Sequence, residues 1–388
     1  MNRYRLPLLA AACCFPLAAA ASGEVAPPSA AQQTDAKPGA TPVAKAAPDA
    51  ATLAAIPLNA NEGRAVAGKL AAALTSDFVN PENAKDYAAM LRANAAAGRY
   101  DDGTRGELAK RLTDDMLAVH KDGHLHVELA TADGPLGGEA GGKPFPPAIQ
   151  SAKWIAPGVA YIRPSLFNST PEEVAAFKAF MEDHKNAKTM IFDLSNHHGG
   201  ALGEMNVIFS YLFATKTPLV KMDISRALFD SQGSPFGDDP TLQVQKGAQM
   251  VTTTHFAIPG EVTPLRKARV LLLTSNATGS AAEHFALAMK SSGRGTLIGE
   301  ATAGANHFGG PLPINDDFAV WMPVGRTYDI KTGKDWEGTG IAPDIAVDPK
   351  LALVKALEMA GVPQQEATRL NAGEVPAEPV HREKLAAR

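Results

Sequence analysis

A serine placed where an apolar run meets a helix is the first arrangement in this chain with the makings of chemistry. In LLLTSNATGSAAEHFALAMKSSG, residues 271–293, a buried-strand pattern over 270–273 passes through small residues into a helical pattern that begins near Ser280. A serine at such a junction presents its Oγ at a helix N-terminus, where unpaired N–H groups and the helix dipole favour a developing oxyanion. That chemistry is acyl transfer through an oxygen nucleophile. Ser280 and Glu283 also spell a capping box, which needs no catalysis, and Ser275 and Thr278 are competing hydroxyls.

Two further patches carry polar groups at turns. In MIFDLSNHHGGALGEMNVIFSYLF, residues 190–213, another strand pattern ends at Gly199 and Gly200 before a helix. Paired glycines let backbone approach a ligand and aim N–H groups at an anion, although they also suit a plain tight turn. Asp193 fits a turn or capping carboxylate, and His197 and His198 point apart on extended backbone. In KDGHLHVEL, residues 121–129, His124 and His126 would share one face of a strand. Either is suited to exchanging a proton near neutral pH. HExxH and zinc-type cysteine spacing are absent, so the sequence assigns no metal and no organic cofactor.

These patches need a frame to hold them. Over residues 61–121 apolar side chains recur at helical spacing, as in Val66, Leu70, Leu74 and then Tyr87, Met90, Leu91, which predicts three helices broken at Asn80 and Pro81 and again over 98–103. After His120 short β-rich runs appear at 124–129, 159–162, 189–194, 268–273, 296–298 and 318–322, with helical stretches at 171–184, 202–213 and 281–291 between several of them. This alternation predicts an α/β core with crossover helices behind a small helical cap. Residues 225–257 lack a firm period and read as a long surface loop.

The N-terminus reads as an export signal. Arg3 and Arg5 precede an apolar stretch over 6–18, and alanines at 19–21 offer a small-residue cleavage site. The predicted divisions are a signal peptide over 1–22, a disordered Ala/Pro-rich linker over 23–57, a helical cap over 58–121, an α/β core over 122–350, and a C-terminal helix with a flexible tail over 351–388. The expected location is periplasmic or secreted, with lipid attachment at Cys13 the weaker alternative. The two cysteines are Cys13 and Cys14, so cleavage leaves no thiol and any nucleophile must be an oxygen. Lys and Arg number 37 against 41 Asp and Glu, which argues against a nucleic-acid partner. No apolar run after the signal is long enough for a membrane span, so no integral membrane association is expected.

Taken together, DGHLHV, IFDLSNHHGG, LLTSNATGSAAEHFA, IGEATAGANHF and WEGTGIAPDIAV occur in an order that resembles the tail-specific (C-terminal processing) serine protease superfamily. The likeness is greatest to the branch of tricorn core peptidases and interphotoreceptor retinoid-binding protein, and runs from about Val66 to Asp348. It implies a core of the ClpP/crotonase-like type and a peptide or unfolded-protein substrate. Carried over by residue, Ser280 matches the nucleophile. The processing proteases place a base lysine in a later loop, where this chain has Ala305, and Lys290 lies almost three helical turns beyond Ser280. The tricorn-like pattern instead implies His124 as base and Glu337 as its orienter, with Gly123 where tricorn-type sites carry a serine. Oxyanion donors would be the N–H groups of Ala281 and of Gly199 or Gly200. The expectation is an exported serine-type endopeptidase. The alternative is a catalytically silent protein binding a hydrophobic, retinoid-like or lipid-like ligand. Retention of Ser280, His124 and Glu337 together favours the enzyme.

Overall fold

The computed structural model describes residues 50–130 and 147–374. The predicted signal peptide, the linker up to residue 49 and the tail beyond 374 lie outside the described residues. Four helices come first: α1 (Ala50–Ala54), α2 (Glu62–Asp77), α3 (Pro81–Ala96) and α4 (Arg105–Val119). Local chemistry sets their ends. The Asn80 side chain accepts the N–H groups of Glu82 and Asn83 with Pro81 at the first helical position, and Thr104 and Glu107 close a reciprocal capping box on α4. The linker prediction over 23–57 is corrected at its end. Residues 50–54 are helical with Leu53 buried, and the Leu58 N–H and Arg105 N–H bind the carbonyls of Gly103 and Ile56, so packing on α4 orders an alanine-rich segment whose composition argues for disorder.

The chain continues through β1 (His126–Leu129), β2 (Ile149–Ala156), β3 (Val159–Pro164), α5 (Pro171–Asp183), β4 (Thr189–Asp193), α6 (Gly203–Leu212), β5 (Thr217–Ser225), α7 (Arg226–Gln232), β6 (Leu242–Lys246) and β7 (Met250–Ala257). It ends with β8 (Arg269–Thr274), α8 (Ala281–Ser291), β9 (Thr296–Gly299), β10 (His307–Pro313), β11 (Phe318–Asp329), β12 (Ile345–Ala346), α9 (Pro349–Met359) and α10 (Gln364–Ala372). One sheet has the order β12-β9-β8-β4-β3-β2, parallel except for β2. Its central strands are apolar on both faces because both are covered. Val270 and Leu272 of β8 join a cluster with α5, α6 and α8, while Leu271 and Leu273 face α9 and α10. The α/β core with crossover helices is therefore present.

A second sheet, β1-β11-β5-β7-β6 with β10 on β11, is antiparallel throughout. Helices α2–α4 bury Val66, Leu70, Leu74, Leu91 and Leu112 in one cluster with Val127, Ile224, Val251 and Phe318 of that sheet. The helices thus share a core with the strands rather than building one of their own. The surface-loop reading of 225–257 is wrong. Those residues form α7 and the β6–β7 hairpin, in which β7 buries Val251, Thr253, His255 and Ala257 at alternate positions. Polar residues in inward positions hid the period of two.

Candidate active site

Ser280 stands between β8 and α8 with φ 55° and ψ −123°. A non-glycine residue at positive φ costs on the order of 1–3 kcal/mol and persists only where its surroundings fix it. Here Glu283, buried inside the structure, does the fixing. Its Oε2 accepts the Ser280 N–H at 2.9 Å and the Ala305 N–H at 2.9 Å, and its Oε1 accepts Thr302 Oγ1 at 2.6 Å and the Gly304 N–H at 2.8 Å. Burial nevertheless pushes the Glu283 carboxyl above the usual carboxylate range. The capping relation read from the sequence is real in its Glu283 half, and the same carboxylate ties the serine turn to the loop 302–305.

Gly199 and Gly200 follow β4 at φ 108° and 122°. Carbon added at Gly199 would stand 2.6 Å from Ser280 Cβ and 3.0 Å from the Ala281 nitrogen, and at Gly200 it would meet the Phe167 carbonyl at 2.0 Å. Both positions therefore demand glycine because backbone passes through the space of a side chain. The Gly199 N–H is already donated to His197 Nδ1 at 3.1 Å, and His197, wholly buried, has its pKa pressed by burial down to about 3. Gly199 is thus corrected as an oxyanion donor; its role is close packing on the serine. Among the described residues neither the Gly200 N–H nor the Ala281 N–H donates to a protein acceptor, which leaves both available. Ser275 and Thr278 are buried in turn hydrogen bonds, their hydroxyls donating to the carbonyls of Ser195 and Leu194, and no longer compete as nucleophiles.

The DGHLHV segment reaches the same place from the other sheet. A Cβ built on Gly123 would lie 3.0 Å from Ala305 Cβ, and Ala305 shares Glu283 Oε2 with Ser280. Glu337 accepts the Gly123 N–H at 2.7 Å on Oε1, and the N–H groups of Asn306 and His307 at 2.8 and 3.0 Å on Oε2. It holds the backbone beside His124 where a serine at position 123 would have offered a hydroxyl. Burial, with Asp122 nearby, raises the Glu337 pKa. Asp122 Oδ1 accepts the His124 and Leu125 N–H groups at 2.9 and 3.1 Å, so β1 begins at His126 rather than at residue 124. His126 is half-exposed and stacks on Trp321 with ring centroids 6.2 Å apart.

Sequence reasoning missed Asp122 and His307. His307 Nδ1 lies 2.6 Å from Asp122 Oδ2 and 3.8 Å from Glu337 Oε2. Burial opposes a charge on His307, but the bond to Asp122 and the two carboxylates outweigh it and raise its pKa. The three side chains offer metal-type ligand atoms within 4.8 Å of one another. Their carboxylate oxygens, however, already accept backbone N–H groups or the imidazole, so the cluster is satisfied by hydrogen bonds.

Residues 158–347, from β3 to just past β12, match the model of Peptidase family S41. That stretch is similar to peptidase family S41. Within the S41 region lie Gly199, Gly200, Ser280, Ala281 and Glu337, whereas His124 precedes it. A curated relative, the chloroplastic C-terminal processing peptidase of Tetradesmus obliquus, is 27% identical over 207 residues, which is 52% of this chain and 39% of that protein. The chain thus matches about two fifths of that relative's length. A solved structure from Parabacteroides merdae ATCC 43184 superposes with a TM-score of 0.50 at 18% identity, covering 77% of this chain and 93% of that one. The photosystem II D1 C-terminal processing protease gives 0.48 at 14% identity, covering 79% and 97%. The first of these structures attests the fold of the S41 core.

Proposed function

We propose that this protein is an exported serine-type peptidase that cleaves peptide bonds with Ser280 as nucleophile and His124 as general base. The observation that carries the reading is the backbone of Ser280. A positive φ at a strand-to-helix turn is strain of the kind that exposes a nucleophile, and the Ala281 N–H next to it and the Gly200 N–H that follows Gly199 have no acceptor among the described residues. In the reaction His124 takes the Ser280 hydroxyl proton as Oγ attacks the carbonyl. The oxyanion accepts from the two N–H groups, and His124 returns the proton to the leaving amine. Water then repeats the sequence on the acyl-enzyme, releasing the acid and restoring Ser280. Glu337 orients the base through the Gly123 backbone. Export rests on the residues of the first twenty-two positions, and the substrate class, a peptide or unfolded protein, rests on the similarity to peptidase family S41. No helix among the described residues is long and apolar enough to cross a membrane.

A fluorophosphonate probe tests the reading. Wild-type protein should be labelled at Ser280, and Ser280→Ala should not. His124→Ala should lose most of the reactivity and His126→Ala little of it. Folded wild-type protein that takes no label would favour the hydrophobic-ligand-binding alternative instead.

A further inference from the structure

We propose that His307 is the positioning residue of the catalytic histidine segment, acting through Asp122. The inference rests on the assignment of His124 as base and extends it to a residue 183 positions away in the chain. Three consecutive N–H groups, those of Gly123, His124 and Leu125, bind carboxylates: the first binds Glu337 and the other two bind Asp122 Oδ1. The backbone of the base is therefore only as fixed as the Asp122 carboxylate. That carboxylate is 2% exposed, and its second oxygen is held by His307 Nδ1 at 2.6 Å.

Charge gives the same answer. Asp122 and Glu337 are two buried acids that both bind the short segment 123–125, and like charges in such a place push one another toward protonation or toward solvent. The His307 imidazole stands between them, at 2.6 and 3.8 Å. Its own placement is secured on two sides. The His307 backbone N–H is bound by Glu337, and the ring meets the edge of Phe78 at 6.3 Å between centroids. Phe78 in turn packs edge-on against Tyr87, so the helices at the front of the chain support the imidazole that supports Asp122. Removing the His307 ring frees an Asp122 oxygen and lets the 122–125 turn relax, and displacement of a catalytic group by about 1 Å is enough to cost on the order of 10²-fold in rate.

The test is the rate of fluorophosphonate labelling at Ser280, with thermal unfolding run on the same samples. His307→Ala should label about 10²-fold more slowly than wild type. His307→Asn places an amide N–H where Nδ1 stood, without a charge, and should recover most of the loss. A merely structural contribution would follow unfolding temperature and not the donor. His307→Ala at the wild-type rate overturns the proposal. So does a folded His307→Asn that labels as slowly as the alanine variant, and the asparagine variant alone decides the matter if the alanine variant does not fold. The control is His124→Ala: wild-type labelling there overturns the base assignment, and unlabelled wild-type protein overturns the peptidase reading, each separable from a His307 result.

Discussion

Gly199 lies so close to Ser280 that a Cβ built on it would stand 2.6 Å from the serine Cβ. Its φ of 108° is also one that L side chains rarely adopt. Gly199→Ala therefore combines overpacking with backbone strain, and should cost roughly 2 kcal/mol or more of stability. The serine turn must yield, because the strand-end backbone is paired with Phe167 through the Gly199 carbonyl. Urea unfolding and Ser280 labelling should both suffer, and a variant with wild-type midpoint and labelling would show that the turn has room for a methyl group.

Ser280 itself should be a site where stability was given up. Glycine tolerates φ 55° without a Cβ penalty, and alanine does not. Ser280→Gly should unfold at a higher temperature than Ser280→Ala, by an amount equivalent to about 1 kcal/mol, less whatever the freer unfolded glycine chain takes back. Neither should label. Equal melting temperatures for the two variants would remove strain from the account of the nucleophile.

The parts of this site that are local in sequence were legible, and the parts that are made by pairing were not. The run VLLL before Ser280 and the Gly pair after Asp193 each mark a parallel strand opening into a turn, because strands covered on both faces read as unbroken apolar runs. His124, Ser280 and Glu337 came from ordered motifs. His307 also lies in one of those motifs, but its pairing was not legible, since nothing at 122 announces that it will meet 307; that contact depends on β10 and β1 both pairing with β11. Glu283 looked like a cap and is one, but its second oxygen serves a loop twenty residues on. The β6–β7 hairpin escaped because Thr253 and His255 point inward where apolar residues would have shown the alternation. Gly199 and Gly200 are equivalent in sequence, and only the fold, by giving the Gly199 N–H to His197, tells them apart.

Acid should unfold the protein through its buried histidines. Asn206 donates its amide to Asp239 and so turns its carbonyl to His255 Nε2, which must carry the hydrogen, leaving His255 Nδ1 to accept from His284 at 2.8 Å. Both rings are neutral. Burial presses His255, like His197, down to about 3, and holds His284 well below the ordinary value. A histidine with a depressed folded pKa contributes stability above its unfolded pKa near 6.5, and that stability is lost as pH falls from there toward 3. Each proton taken up on unfolding adds about 1.4 kcal/mol per pH unit to the slope. Glu204, Glu283 and Glu337, whose pKa values are raised, oppose the trend at pH values above the ordinary carboxyl pKa. Denaturant unfolding between pH 6.5 and 5 should thus show a falling midpoint, and a flat profile there would mean that these rings are solvated in the native state.

Ala305 decides whether a lysine base could be restored. The processing proteases that the motifs resemble place their lysine at this position, yet here Ala305 is 3% exposed, gives its N–H to Glu283 and sets its Cβ against Gly123. A lysine stem has no room in that contact, and an ammonium group there would lose hydration without a prepared partner, at a cost of several kcal/mol unless it shed its proton or swung outward. Ala305→Lys should therefore melt earlier than wild type and label no faster. The decisive protein is the double variant with His124→Ala. If the imidazole is the base, lysine at 305 rescues nothing, because the space a base would use is filled by the 122–125 turn. Restored labelling in the double variant would show instead that the site still accommodates a serine–lysine pair, and that His124 is one of two solutions rather than the one this backbone was built around.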